Sequence, residues 1–101
     1  MTHRRTLFVS YARADEFLAL RLCTLLAAAG QDVWLDVTHL PLNPDWWNEV
    51  RRAIDQSAGL LFLVSDESSR SLSCSRELTY AAARGKPILP IKAEWAAEAS
   101  A

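Results

Sequence analysis

Glycine and cysteine are scarce in this chain of 101 residues, which contains three glycines and two cysteines. The sequence has no GxGxxG or GxxxxGK[ST] motif, so a glycine-rich phosphate-binding loop is excluded. Cys23 and Cys74 lie far apart and form no CxxC pair, which excludes a disulfide framework and a cysteine zinc site. His3 and His39 are isolated and lack metal-ligand spacing, so the sequence predicts no metal centre.

Long hydrophobic runs and an excess of charge are also absent. The apolar run that follows Arg5 is only "LFV", which is too short for a signal peptide or a membrane span. The net charge of −1 provides no positive field that would recruit nucleic acid or an anionic membrane. A GxSxG nucleophile elbow is missing as well, which excludes a typical serine hydrolase. We therefore expect a cytoplasmic protein with reduced thiols that binds neither nucleic acid nor membrane.

Half of the residues are hydrophobic, and many of them are concentrated in four short runs. The runs cover residues 6–11, 32–36, 59–65 and 87–92. They are continuously apolar rather than alternating, which is typical of strands covered on both faces. Segments of helical period separate them, so the sequence predicts one α/β domain over residues 1–101 with its core at about 6–92. A βαβ repeat of this kind implies a parallel sheet with right-handed crossovers.

Three helices are predicted between these strands. The first carries one apolar stripe and ends before Gly30; the stripe consists of Leu18, Leu22, Leu25, Leu26 and Ala29. The second begins with Asn43 as N-cap and Pro44 as the first helical residue, and its stripe consists of Trp47, Val50 and Ile54. The third covers about Ser75 to Arg84 and ends at Gly85, with Leu78, Ala81 and Ala82 facing inward.

Polar residues follow each of the first three strands: Ser10-Tyr11, then Asp36, then Ser65-Asp66. In open α/β sheets the ligand crevice lies beyond the carboxyl ends of the strands. Ser10, Arg13, Asp36 and Ser65 should therefore lie along one edge. Polar turn residues are common at strand ends without any ligand, so the pattern alone does not decide between a site and ordinary turns.

Four sequence blocks together resemble a TIR (Toll/interleukin-1 receptor) domain of the bacterial type. They are "LFVSYARAD" (7–15), "VWLDVTHLPLNPDWWNEVRRAI" (33–54), "GLLFLVSDES" (59–68) and "CSRELTYAAARGKPILPI" (74–91). The resemblance implies a flavodoxin-like fold, with a parallel sheet of four or five strands flanked by helices. It also implies one of two functions, because some TIR domains cleave NAD⁺ and others are non-catalytic scaffolds that signal by TIR–TIR contacts.

The resemblance identifies Glu77 as the catalytic residue, because the enzymes need a glutamate on the helix after the third strand. Nicotinamide leaves as a neutral molecule, so no general acid is needed, and one carboxylate can stabilise the oxocarbenium-like state. An alternative is that Glu77 only interacts with the dipole in the first turn of its helix, worth about 0.3–1 kcal/mol. A capping box is excluded, because Cys74 stands where Ser or Thr would be needed.

Five further residues are predicted to hold the nucleotide: Ser10, Tyr11, Arg13, Trp46 and Ser73. Tyr11 and Arg13 match the family's "SY-R" block, and Arg13 could pair with the NAD⁺ phosphates. Taken singly, an arginine just before a helix is more often a solvated surface residue. Ser73 departs from the family, since enzymatic relatives often carry tryptophan there in a WxxxE pattern. NAD⁺ would be the substrate, and no other cofactor is expected.

Segment 37–45, "VTHLPLNPD", matches the loop that gates the pocket and makes TIR–TIR contacts in the family. Leu40 and Leu42 are apolar residues on this loop, and they would either face a partner or fold back onto the sheet. The resemblance implies self-association through the loop. A sensor domain or a partner protein is also expected. Family domains usually continue with another helix and a fifth strand after the fourth. Here the sequence suggests a trimmed domain or a piece of a longer protein, and a fourth strand with an unpaired edge would favour assembly.

Overall fold

Four short strands alternate with helices in the computed structural model, which describes residues 6–35 and 45–99. The strands are β1 (Leu7–Ser10), β2 (Val33–Leu35), β3 (Gly59–Val64) and β4 (Ile88–Lys92). The helices are α1 (Glu16–Ala28), α2 (Trp46–Gln56), α3 (Asp66–Ser69), α4 (Leu72–Ala83) and α5 (Ala93–Ala99). A single 3-10 turn, Arg13–Asp15, precedes α1.

The strands form one parallel sheet in the order β2-β1-β3-β4. The predicted flavodoxin-like architecture, a parallel sheet with helices on both faces, is therefore confirmed. Successive strand residues point to opposite faces, and this alternation divides the interior into two clusters. Phe8 and Leu60 pack with α2 and α4 on one face, whereas Val9 and Leu61 pack with α1 and α5 on the other.

The first helix follows its predicted stripe only in part. Leu22 is buried, and Leu18 and Leu26 are half-buried against the core. Leu25 is 43% exposed, and Ala29 is exposed. The predicted stripe was therefore too wide, because α1 packs through the narrower surface that Ala19, Leu22 and Cys23 form.

Two helix boundaries also differ from the prediction. The third predicted helix, α4, begins at Leu72 rather than near Ser75, because Ser71 caps it by accepting a 3.2 Å hydrogen bond from the Cys74 N–H. Ala82 is exposed rather than inward-facing. The helix α2 begins at Trp46, with Asp45 at the N-cap position, two residues later than predicted.

Local sequence explains where α1 and α4 end and where α3 begins. Gly30 and Gly85 have φ angles of 89° and 74°, so both adopt the left-handed conformation predicted for residues that follow helices. The short helix α3 was not predicted. It begins with a reciprocal cap in which Ser65 Oγ accepts from the Ser68 N–H at 3.0 Å and Ser68 Oγ accepts from the Ser65 N–H at 2.8 Å.

The loop 37–45 lies almost entirely outside the described residues, and so does Asp36, so the expectations for the loop and for Asp36 stay predictions. Within the two described ranges, no helix has both the length and the apolar character needed to cross a membrane.

Candidate active site

A buried pair, Ser10 and Glu77, lies at the carboxyl edge of the sheet. Ser10 is the last residue of β1, and its Oγ donates a 2.7 Å hydrogen bond to Oε1 of Glu77 on α4. The strand alternation directs Ser10 toward the same face as Phe8, which is the face that α4 covers. Glu77 is only 3% exposed. An acid is almost never so buried unless it is paired, and its hydrogen bond from Ser10 offsets part of the desolvation cost.

The helix dipole does not explain Glu77. Because α4 begins at Leu72, Glu77 is its sixth residue, and the first turn contains no acid. The stabilisation of acids by a helix N-terminus decays within the first turn. The alternative that sequence reasoning left open therefore fails, because the true helix start lies about one turn earlier than the predicted one.

Cys74 fills the space beside this pair. It is fully buried, and burial is the main reason why the pKa of its thiol is raised. Hydrogen bonds with Ser71 and Ser10 oppose that shift, whereas the negative charges of Glu77 and Asp15 add to it. The thiol therefore lies close enough to Ser10 to bond it and feels two carboxylates at once. At neutral pH it is a neutral residue that packs against the pair.

A second hydroxyl–carboxylate contact lies at the end of β3. Ser65 Oγ donates to Asp15 Oδ2, which joins the cap of α3 to the turn before α1. The polar ends of β1 and β3 therefore do lie along one edge, as expected from their positions in the sequence. Asp15 was missed by sequence reasoning. Its place two residues after the "SYAR" of the first block was the one clue to it.

The other predicted nucleotide-binding residues are dispersed around this edge. Tyr11 is buried in the core cluster on the α1 face, opposite to the direction of Ser10. Arg13 is exposed in the 3-10 turn. Trp46 is half-buried at the start of α2 and packs against the α2–α4 cluster. Ser73 is exposed in the first turn of α4. Their contacts with a nucleotide stay predictions.

Ser73 and Glu77 are four residues apart, so they lie on the same side of α4, one turn above the other. One is exposed and the other is buried. Ser73 is therefore an exposed residue one helical turn before the buried carboxylate.

The sequence also did not predict that Arg76, Trp47 and Tyr80 stack in a row between α2 and α4. The guanidinium of Arg76 lies 4.2 Å from the centre of the Trp47 ring, and Trp47 meets Tyr80 edge-on at 5.9 Å. Arg76 and Tyr80 are four residues apart and Trp47 lies on the facing helix, so the spacing on α4 could have indicated the contact. Trp47 therefore packs against the surface of α4. The centres of the Trp46 and Trp47 rings are 6.0 Å apart.

Two other features do not belong to the site. A groove of about 490 Å³ is lined by Thr6, Trp34 and Arg52 among others, but Thr6 precedes β1, so the groove lies toward the amino ends of the strands. In the part of the chain that the structure describes, no three metal-binding side chains come together closely enough to hold an ion.

Comparisons with known proteins agree with this fold. The family model for the TIR domain matches residues 7–100 of the chain. None of the curated proteins is similar enough to count as a relative.

Solved TIR domains share the architecture. The TIR domain of the Toll-related receptor TRR-2 from Hydra magnipapillata superposes with a TM-score of 0.69 at 21% identity, covering 83% of this chain and 66% of that one. The TIR domains of the activated Roq1 resistosome, which recognises the pathogen effector XopQ, superpose with a TM-score of 0.70 at 18% identity, covering 87% and 57%. At such identities the likeness concerns the fold alone, and this chain spans less than two thirds of either structure.

Proposed function

Since the chain belongs to the TIR domain family, we propose that it is an NAD⁺ glycohydrolase with Glu77 as its catalytic carboxylate. The family contains both NAD⁺-cleaving enzymes and non-catalytic scaffolds. The observation that favours catalysis is the Ser10–Glu77 pair, a carboxylate that is 3% exposed at the edge where a ligand of this fold would bind. A helix-start role no longer accounts for this acid.

The proposed reaction breaks the bond between the ribose anomeric carbon and the nicotinamide nitrogen. The electron pair of that bond stays with nicotinamide, which leaves as a neutral molecule because its ring was cationic. Positive charge develops on the ribose, and the negative carboxylate of Glu77 stabilises it. Water then adds to the anomeric carbon and releases a proton to give ADP-ribose. If the adenine ring of the same nucleotide adds instead, the product is cyclic ADP-ribose.

Ser10 has a positioning role in this scheme. Its hydroxyl donates to Oε1 of Glu77 and so fixes the rotamer of the carboxylate relative to the end of β1. A neutral donor of this kind orients the carboxylate without cancelling its charge. Arg13 would bind the phosphates, and Trp46 and Ser73 would complete the nucleotide site, whereas Tyr11, buried on the α1 face, would support the end of β1 from behind.

The burial of Glu77 favours a second candidate function, a scaffold that binds other TIR domains without turnover. A carboxylate that is 3% exposed contacts little solvent, so NAD⁺ reaches it only if the edge opens. In the enzyme, self-association through loop 37–45 would supply that opening, and the Roq1 TIR domains come from an activated resistosome. In the scaffold, the same pair would only join β1 to α4.

Nicotinamide release from NAD⁺ separates the two functions. Glu77→Gln keeps an oxygen that accepts from Ser10 but removes the charge, so it should fold and should reduce release by about 100-fold or more. Glu67→Gln is the matched control, because Glu67 is exposed on α3 near the same edge. Its rate should equal that of the wild type.

Two results would contradict the proposal. Wild-type protein that releases no nicotinamide, even at high concentration or with a crowding agent, would exclude the enzyme and leave the scaffold. Equal release from the wild type and Glu77→Gln would remove the role of Glu77. Circular dichroism of both variants shows whether each is folded.

A further inference from the structure

Arg76 is an exposed residue of α4 that stands directly before Glu77 in the chain. Its guanidinium carbon lies 4.2 Å from the centre of the Trp47 ring, so a cation–π contact joins it to the facing helix α2. Such a contact restricts an arginine side chain that would otherwise sample many rotamers in solvent. The cation beside the proposed catalytic residue therefore has a defined position.

The contact with Trp47 does not consume the hydrogen-bond donors of Arg76. The five N–H groups of a guanidinium lie in its plane, whereas the aromatic ring covers one of its faces. Within residues 6–35 and 45–99, Arg76 forms no ion pair with a carboxylate. Its charge is therefore not neutralised by an acid in that part of the chain.

Arg84, at the end of the same helix, differs in this respect. It lies 5.9 Å from the centre of the Tyr80 ring, and its Nε donates to Asp55 at 2.9 Å. The charge of Arg84 is matched by an acid of the protein, so a tie between α2 and α4 explains this arginine. The same explanation does not account for the charge of Arg76.

The contact between Trp47 and Arg76 lies near the edge where a ligand of this fold would bind. The helices α2 and α4 both begin on the carboxyl side of the sheet, and these residues are the second of α2 and the fifth of α4. Two residues predicted to hold the nucleotide lie beside them. The ring centre of Trp46 is 6.0 Å from that of Trp47, and Ser73 precedes Arg76 by one turn of α4.

We propose that Arg76 binds the pyrophosphate of the dinucleotide. This inference rests on the proposed function, because it assigns a further residue to the same site. The pyrophosphate begins at the 5′ oxygen of the ribose on which Glu77 would act, so a cation next to this acid is suitably placed. The pyrophosphate carries two negative charges, and Arg13 supplies only one positive charge. A planar guanidinium binds phosphate oxygens through paired N–H donors.

The directions of the two side chains define how the nucleotide would lie. Successive residues of a helix point about 100° apart. Glu77 points toward the sheet, where it accepts from Ser10, whereas Arg76 points toward α2. The nucleotide would therefore cross the first half of α4, with its nicotinamide ribose toward the sheet and its phosphates toward α2.

Calorimetric titration with ADP-ribose, the product that retains both phosphates, tests this site without turnover. Arg76→Gln should weaken binding about tenfold or more, because charge-assisted hydrogen bonds to phosphate are lost. Arg84→Gln is the matched control, since it removes the same charge about 12 Å farther along α4. Its affinity should stay within about twofold of the wild type, because solvent screens an exposed charge at that distance.

A substrate without phosphate separates binding of the pyrophosphate from a general disturbance of the site. Nicotinamide riboside contains the same bond between ribose and nicotinamide. In Arg76→Gln the ratio of kcat/KM for NAD⁺ to kcat/KM for nicotinamide riboside should fall about tenfold. A disturbance of Glu77 would slow both reactions alike and leave this ratio unchanged.

The outcomes distinguish this proposal from the proposed reaction. Weaker binding of ADP-ribose by Arg76→Gln but not by Arg84→Gln supports the phosphate site. If the wild type then releases no nicotinamide, only the proposed reaction is contradicted. A wild type that binds no ADP-ribose, an unchanged affinity in Arg76→Gln or an equal loss in both variants would overturn the phosphate site. An unchanged ratio for the two substrates would overturn it as well.

Discussion

Two carboxylates, one on α4 and one packed against it, lie in very different surroundings. In the middle of α4, Glu77 is buried and accepts from the neutral hydroxyl of Ser10. Toward the end of that helix, half-buried Asp55 of α2 accepts from the Tyr80 hydroxyl at 3.0 and 2.9 Å and from Arg84 Nε at 2.9 Å. The Asp55 cluster is explained as a tie between two helices, with a cation beside its acid. A buried carboxylate bonded by a neutral donor is costly to keep, and such sites are frequently functional.

The largest predicted difference between the two clusters is in activity. Ser10→Ala and Tyr80→Phe each remove one hydroxyl that donates to a carboxylate. Ser10→Ala should slow nicotinamide release by about 10- to 100-fold, because a hydrogen bond to a charged group is worth about 1.5–3 kcal/mol. Tyr80→Phe should leave the rate within about twofold, since the Tyr80 hydroxyl bonds Asp55 of α2 and not Glu77. Steady-state rates of the two variants make the measurement.

A drop in kcat with KM nearly unchanged would fit a positioning role for Ser10. Similar losses in both variants would contradict the distinction between the clusters. They would mean that α4 transmits any disturbance to the edge.

Ser10→Ala should also lower the free energy of unfolding more than Tyr80→Phe does, although the two variants should differ less in stability than in activity. Ser10→Ala leaves a buried carboxylate without one of its donors, which should cost about 1–3 kcal/mol of unfolding free energy. Tyr80→Phe should cost less, because Asp55 keeps Arg84 and remains partly solvated. Urea unfolding of both variants gives the two values. A larger loss in Tyr80→Phe would make the Asp55 cluster the more important tie.

The sequence predicted the strands of the sheet, but it did not predict the residues at which α2 and α4 begin. Continuous apolar runs identified all four strands, because strands covered on both faces leave no room for polar residues. The start of α4 was placed about one turn late, because "SLSCS" offers several serines that could cap a helix and only the fold selects Ser71. That error also changed the interpretation of Glu77.

The candidate site shows the same limit. Position in the chain and family resemblance selected Glu77, and strand ends selected Ser10. Their contact joins residues 67 positions apart, which no local pattern encodes. Trp47 and Arg76 were likewise assigned to separate helices, and their contact depends on how α2 and α4 pack. Local rules therefore predicted elements, and tertiary packing produced the site.

The Asp55 cluster can be tested further through the titration of Tyr80. Burial, followed by the hydrogen bond and charge of Asp55, raises the pKa of Tyr80. Because the folded protein holds this proton more tightly than the unfolded chain, its contribution to stability is full below about pH 10 and is lost as pH rises through the folded pKa. Asp55→Asn should lower the Tyr80 pKa. Tyrosinate absorbance measures it, with Tyr80→Phe identifying the signal of Tyr11. An unchanged pKa in Asp55→Asn would mean that burial alone sets it.

The smallest predicted effect concerns Cys74, which reports on the charge of Glu77. Burial is the main cause of its raised pKa, and the charge of Glu77 adds a lesser part. Glu77→Gln should therefore lower the pKa of Cys74 slightly and shift the pH profile of its thiolate ultraviolet absorbance to lower pH. The measurement uses a Cys23→Ser background, with Glu67→Gln as the control. A profile that Glu77→Gln leaves unchanged would mean that residue 77 places no negative charge beside the thiol. The stabilisation of a cationic ribose, which depends on that charge, would then lose its source.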